Sequence, residues 1–212
     1  ILGTLFLRAM GFSEKAQIID VYYKKTTISF SDSREEKEQL VGKVFAKAVV
    51  VDEGEEGEKK LYSAGMKIHP HDVDELLHSN INEVEVIDFD HPESLHSPII
   101  LNCFEREDVK FSKEDLGVDE PTREEALSAV YSVLMPGEPI TLESAEKDLT
   151  SMFYSTRRYD LGKVGRYKLN KKFDYEPALD TQTLTAEDII NTMLYLIKVY
   201  IGEANVDDID HL

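Results

Sequence analysis

The chain has 212 residues, 42 of them acidic and 24 basic, so its formal net charge at pH 7 is -18. That balance argues against non-specific attraction to nucleic acid over the molecule as a whole, and no uninterrupted apolar run reaches the length that spans a bilayer. Cys103 is the single cysteine, which excludes an intrachain disulfide and fits a reducing cytoplasm.

From the amino end, Leu5 to Met10 reads as a short apolar helix closed by Gly11. Ser13 is expected to cap a second helix through Ile18-Ile19 to about Tyr22. The β-branched run Thr26-Thr27-Ile28-Ser29-Phe30 predicts a strand, and residues 31–39 a polar connector. Residues 41–51 are strand-forming, Asp52 to Lys60 forms an acidic hairpin tip, and Leu61-Tyr62-Ser63 returns. Ala64-Gly65 predicts a turn. Pro70 suits the first turn of a helix whose Val73, Leu76 and Leu77 share a face, and Val84 to Asp88 alternates as a strand. A small β-barrel-like sandwich with one helix is the economical solution for 41–88, with Pro98-Ile99-Ile100-Leu101-Asn102 as a strand leading out.

Beyond Asp108 the pattern turns helical. Thr122 with Glu125 is a capping-box pair opening a helix from Arg123 to about Leu134. Met135-Pro136-Gly137-Glu138-Pro139 forbids continuation, and Thr141 caps a helix to about Phe153. Thr185 with Asp188 repeats the capping box. It starts the strongest helix, with Ile189, Ile190, Met193, Leu194, Ile197 and Ile201 on one broad face and Leu196 and Val199 off that stripe.

Between these helices lies the one concentrated positive segment. Arg157, Arg158, Lys163, Arg166, Lys168, Lys171 and Lys172 oppose only Asp160, a local charge of +6 that leaves -24 for the rest. Tyr159 and Tyr167 interleave the cations, a composition found on surfaces that follow a nucleic-acid backbone. A solvated basic loop is the alternative reading. Gly162 and Gly165 are expected to prevent a regular helix there.

Few residues suggest catalysis. Asp207, Asp208 and Asp210 with His211 have the composition of a hard-cation site, the kind a metal-dependent nuclease needs, but the spacing is generic. His69, His71 and His78 lack cysteine partners and read as a surface cluster rather than a zinc site. Ser128, Ser132 and Ser144 lack a nucleophile-elbow context, and no phosphate-binding Gly-Lys-Ser/Thr loop is present.

Four segments, in order, carry a family resemblance: Thr4-Leu5-Phe6-Leu7-Arg8-Ala9-Met10-Gly11-Phe12; Met135-Pro136-Gly137-Glu138-Pro139-Ile140-Thr141; the run from Arg158 to Lys172; and Val206-Asp207-Asp208-Ile209-Asp210-His211-Leu212. Together they resemble the bacterial DNA-directed RNA polymerase beta subunit, in the second half of its lobe (beta2) domain. The family's subunit is several times longer, and the opening Ile1-Leu2 reads as mid-element, so the chain is expected to be a piece of it. The first residues also lack the charged region and cleavage site of a secretory signal.

The resemblance implies an α+β fold: a mainly helical lobe portion over 1–30 and 99–212, and an inserted β-rich module over 31–98. It implies a non-catalytic role, since the parent nucleotidyltransferase holds its Mg²⁺ in the beta prime subunit and this piece carries no cofactor of its own. Asp208, Ile209 and Asp210 are expected in a pocket for an unstacked non-template guanine, with Asp210 accepting from the base's two adjacent donors. Arg157, Arg158, Lys163, Arg166 and Lys168 are expected along the DNA backbone. Met135, Pro136, Gly137, Glu138 and Pro139 correspond to the gate loop, although Met135 stands where many relatives have Arg. The glycine-lysine-glycine stretch that precedes the guanine pocket in relatives is also altered, in Lys198 to Asn205. Implied partners are DNA, the beta prime, alpha and sigma subunits, and transcription factors at the insertion, in the cytoplasm and away from membranes. Two rivals stand beside this: an acidic protein-docking module centred on Asp52 to Glu58, and a nuclease using Asp207, Asp208 and Asp210.

Overall fold

A computed structural model of the chain describes residues 1–29, 38–53, 58–79, 81–111 and 120–207. In chain order the elements are α1 (Gly3–Ala9), α2 (Lys15–Tyr22), β1 (Lys24–Ser29), β2 (Val49–Glu53), β3 (Glu58–Tyr62), α3 (Pro70–His78), β4 (Glu83–Asp88), α4 (Ile99–Phe111), α5 (Arg123–Leu134), α6 (Leu142–Tyr154), α7 (Gly162–Phe173) and α8 (Ala186–Tyr200). The chain divides into a helical unit, Gly3–Gly11 with Thr122 onward, and a mixed unit, Phe12–Pro121. The mix of helices and small sheets is α+β.

In the helical unit the caps fix where helices start. The Thr122 hydroxyl accepts from the Glu125 N–H at 3.2 Å while the Thr122 N–H donates to the Glu125 carboxylate at 2.8 Å. Thr141 accepts from the Ser144 N–H at 3.2 Å and so starts α6. Helix α5 buries Ala126, Leu127, Val130 and Tyr131, the face set by their i, i+1, i+4, i+5 spacing. These join Ala9, Ala145 and Leu149 in one core, flanked by Phe6 and Phe153, whose rings meet edge-on at 5.4 Å. Gly3 lets α1 start close to α8: a Cβ there would stand 2.8 Å from the Met193 Cε.

The mixed unit is built around Leu40, Phe45, Val51, Tyr62, Ile68, Val73, Leu76, Val84 and Val86. β1 pairs antiparallel with β4, Thr26 opposite Val86, and β2 with β3, Val50 opposite Leu61. These are two separate two-stranded sheets, so the described residues hold no closed barrel. The expected continuous strand over 41–51 is interrupted: Val44 and Phe45 make only isolated bridges, to Lys67 and Val86, and the strand proper starts at Val49. Phe45 donates to the Met66 carbonyl at 3.0 Å and Ala46 to the Glu85 carbonyl at 2.8 Å. Gly65, at φ +84°, makes the turn that brings its N–H to the Phe45 carbonyl.

The structure departs from two further expectations. Residues 98–102 open helix α4 rather than forming a strand. Asn102 donates to the Pro98 carbonyl at 3.0 Å, and Ile100, Leu101, Phe104 and Glu107 form its buried face. A short apolar run such as Pro98 to Leu101 fits either element, and only the spacing beyond it decides. The cap of α2 falls on Glu14, not Ser13; the Glu14 N–H donates to the Gln17 side chain at 3.2 Å. Lys15 then ties α2 to α4 through both oxygens of Asp108, at 2.8 and 3.0 Å. β1 precedes the 31–98 stretch and α4 follows it, yet both are part of the mixed unit. No described helix is long and apolar enough to cross a membrane.

Candidate nucleic-acid interface

The basic segment is a turn followed by a helix. Arg158 donates its N–H to the Ser155 carbonyl at 3.0 Å, and Asp160 then accepts the Gly162 N–H at 2.7 Å at the head of α7. Gly162, at φ +60°, takes the chain into the helix, and Asp174, at φ 53°, ends it. The two glycines therefore do not exclude a helix as expected. A glycine inside a helix costs about 1 kcal/mol relative to Ala, and the packing of Arg166 on the next residue outweighs that.

Arg166 is fully enclosed. Its guanidinium donates to Asp188 at 2.8 Å, to the carbonyls of Thr183 at 2.6 Å and Thr181 at 3.3 Å, and to the Tyr175 hydroxyl at 3.2 Å. Asp188, equally buried, accepts the Thr185 N–H with its other oxygen at 2.8 Å. The network joins the middle of α7 to the first turn of α8. Arg166 was expected along the DNA backbone; in this structure its donors point into the protein and reach no surface.

The remaining cations fall on the opposite side. Lys163, Val164, Tyr167, Lys168, Lys171 and Lys172 are exposed while Gly165, Arg166, Leu169, Asn170 and Phe173 are buried or half-buried. That is a two-faced helix with cations outward. Arg157 and Arg158 are exposed in the preceding turn. Of the two tyrosines, Tyr167 is 55% exposed. Tyr159 instead bonds inward, its hydroxyl donating to the Phe153 carbonyl and accepting the Leu184 N–H. Arg157 also borders a depression of about 620 Å³ that includes Glu143 and Glu146, whose charges oppose its own.

The 135–139 loop is a tight turn. Met135 donates to the Tyr131 carbonyl at 2.8 Å, Glu138 donates to Met135 at 3.3 Å, and Gly137 adopts φ +91°. Met135 packs against the helical core, whereas Pro136, Gly137, Glu138 and Pro139 are exposed. Met135 is thus held by apolar packing inside its own unit.

Asp208, Ile209 and Asp210 lie outside the described residues, as does His211. Asp207 precedes them, one carboxylate oxygen paired with Lys172 and the other 3.2 Å from the Tyr195 hydroxyl. His69 and His71 stack with ring centroids 5.7 Å apart, and His71 lies 3.0 Å from Asp72. Among the described residues no group of three or more His, Cys, Asp or Glu side chains is placed to hold a metal. The residue missed in the sequence was Asp188 as the partner of Arg166. Leu169 and Phe173, at i+3 and i+7 from Arg166, carried the signal that this cation shares the inward face.

Comparison with known proteins adds an independent line. The family model described as RNA polymerase Rpb2, domain 2 matches residues 100–212. The chain is 55% identical over its whole length to the DNA-directed RNA polymerase subunit beta of Treponema denticola, and 52% identical to that of Treponema pallidum. Identity to the Borrelia hermsii subunit is 44%, again over the whole chain. In each case the chain spans 18% of the relative's length.

Proposed function

The chain belongs to the RNA polymerase beta-subunit family, its residues 100–212 matching Rpb2 domain 2, and we propose that it forms part of the wall of the downstream DNA channel, where it holds promoter DNA while chemistry proceeds elsewhere. The observation that carries this is the outward cation face. Arg157, Arg158, Lys163 and Lys168 are exposed together in a chain of net charge -18. Contacts to phosphate position DNA without reading its sequence, and an acidic remainder confines the duplex to the one attractive strip. Arg166 serves this face from behind by anchoring α7. Asp208, Ile209 and Asp210 would supply the base-specific contact, a carboxylate accepting from guanine's paired donors. The loop of Met135, Pro136, Gly137, Glu138 and Pro139 would face the clamp side of the channel. The beta prime, alpha and sigma subunits and transcription factors are partners of the whole enzyme on this reading. Its Mg²⁺ is held by beta prime, and its place is the bacterial cytoplasm.

The test is the salt dependence of DNA affinity. Each phosphate contact contributes about one unit to the slope of log K against log salt. Duplex binding by the chain is expected to be weak, and Lys163→Ala with Lys168→Ala should lower the slope by about two. An unchanged slope in the double variant overturns the assignment of this face.

A second reading concerns the mixed unit. Phe12–Pro121 contains 26 acidic and 13 basic residues, a net -13, and Val50 and Leu61 face each other across β2 and β3 at 51% and 43% exposure. An apolar pair in an acidic unit suits docking of a basic protein. Replacing both with Ser should abolish binding of any purified candidate factor without altering DNA affinity.

A further inference from the structure

We propose that Lys172, Tyr195 and Asp207 form a clamp that fixes how the chain leaves α8, so that Lys172 is a positioning residue and not a phosphate contact. After Tyr200 the chain reverses at Gly202, φ +82°. The N–H groups of Glu203 and Ala204 both donate to the Lys198 carbonyl, at 2.8 and 3.1 Å. The returning chain then meets Tyr195, whose hydroxyl donates to the Asn205 carbonyl at 2.7 Å and stands 3.2 Å from one Asp207 oxygen. Lys172, from the last turn of α7, places its Nζ 3.8 Å from the centroid of the Tyr195 ring and pairs with the other Asp207 oxygen.

Two side chains, from α7 and α8, thus converge on residues 205–207, where Asp207 meets both. An exposed ion pair alone contributes little to stability. Here, however, the ring face, the hydroxyl and the carboxylate all act on the same short stretch, and a cation over a ring face adds attraction of its own. The consequence is directional: α7, α8 and the stretch leading into Asp208 are held in one arrangement. Charges agree with the geometry. Burial alone would lower the Lys172 pKa, but the hydrogen bond and charge of Asp207 hold it above the usual lysine value. The hydrogen bond from Lys172 in turn keeps Asp207 below the usual carboxylate value.

The functional meaning rests on the proposed base-binding role of Asp208, Ile209 and Asp210, which follow the clamped Asp207 directly in sequence. The test uses the complete polymerase carrying this chain, on promoters that differ only in having G or T at the non-template position facing those residues. Wild type should hold the G promoter longer. Lys172→Met and Tyr195→Ala should bring the G-to-T lifetime ratio several-fold toward one, Lys172→Arg should restore it, and the salt slope of DNA association should not change. A preserved ratio in Lys172→Met, with Asp210→Ala abolishing it, overturns the clamp and leaves the base pocket standing. A slope lowered by about one in Lys172→Met makes that lysine a phosphate contact and also overturns the clamp.

If wild type itself shows no preference for G, the base-pocket reading fails and NMR of the whole chain decides the clamp separately. The Lys172 ε-methylene protons should be shifted upfield by the Tyr195 ring, and Tyr195→Ala should remove that shift. Absence of the shift in wild type overturns the clamp. Its presence upholds the clamp without the pocket.

Discussion

Arg166 of α7 and Asp188 of α8 are joined at 2.8 Å with both side chains fully enclosed. Breaking a buried pair from one side leaves an uncompensated charge, a cost of about 3–5 kcal/mol. Arg166→Met should therefore destabilise the helical unit by that order, read as a lower urea midpoint. Adding Asp188→Asn should recover part of the loss, because the stranded charge is removed while an acceptor for the Thr185 N–H remains. A midpoint unchanged in Arg166→Met would mean the enclosure is not maintained in solution.

Deletion should respect the two units. Removing 12–121 and joining Gly11 to Thr122 through a short Gly/Ser linker should leave α5 to α8 folded with α1, since loop length changes closure entropy only slowly. Removing only 30–99 should do worse, because β1 loses its partner β4 and α4 loses the core that covers its apolar face. Thermal melts followed by circular dichroism compare the two. Equal melts would show that the unit boundaries do not matter for folding.

Acid should loosen the stretch after α8 before it unfolds the helices. The Asp207 carboxyl titrates below its usual value, so its contribution is present above the unfolded carboxylate pKa and is lost as pH falls through the lower folded value. The Lys172 pKa is raised. Its contribution is complete below the unfolded lysine value and is lost as pH rises through the higher folded one. The contact should hold throughout the neutral range. Following the Lys172 ε-methylene shift against pH checks this, and a loss of the shift near neutrality would contradict it.

Helix α8 leaves apolar surface uncovered: Leu196 is 61% exposed and Tyr200 79%, while Val199 is half-buried. Leu196→Lys should change stability by no more than about 0.5 kcal/mol, as surface substitutions usually do. Any self-association of the chain should weaken in the same variant. Sedimentation velocity of both proteins gives the answer. A large loss of stability with Leu196→Lys would place this side chain in a core.

What the sequence made legible was local. Thr122 with Glu125, Thr141 with Ser144 and Thr185 with Asp188 lie three residues apart, and each starts its helix where the pattern put it. Pro98 to Asn102 was misread because its five residues fit two periodicities. Arg166 was misread because its partners at 181, 183 and 188 are remote, and the inward-face signal lay in Leu169 and Phe173 rather than in Val-Gly-Arg-Tyr itself. The glycines at 162 and 165 were weighted as breakers, although the cost of each is smaller than that of losing the Arg166 network. The family was legible from four separated segments, whereas the barrel was inferred from strand content alone, without the register that decides closure.

On the proposed function, the outward face of α7 lies against DNA in the assembled polymerase. A photocrosslinking amino acid placed at Lys163 or Lys168 of the complete enzyme, bound to promoter DNA, tests it most directly. The same probe at Leu61 serves as the control. Crosslinks to DNA from 163 and 168, lost at high salt, with none from 61, are predicted. Absence of DNA crosslinks at both α7 positions, in an enzyme that still forms promoter complexes, would contradict it.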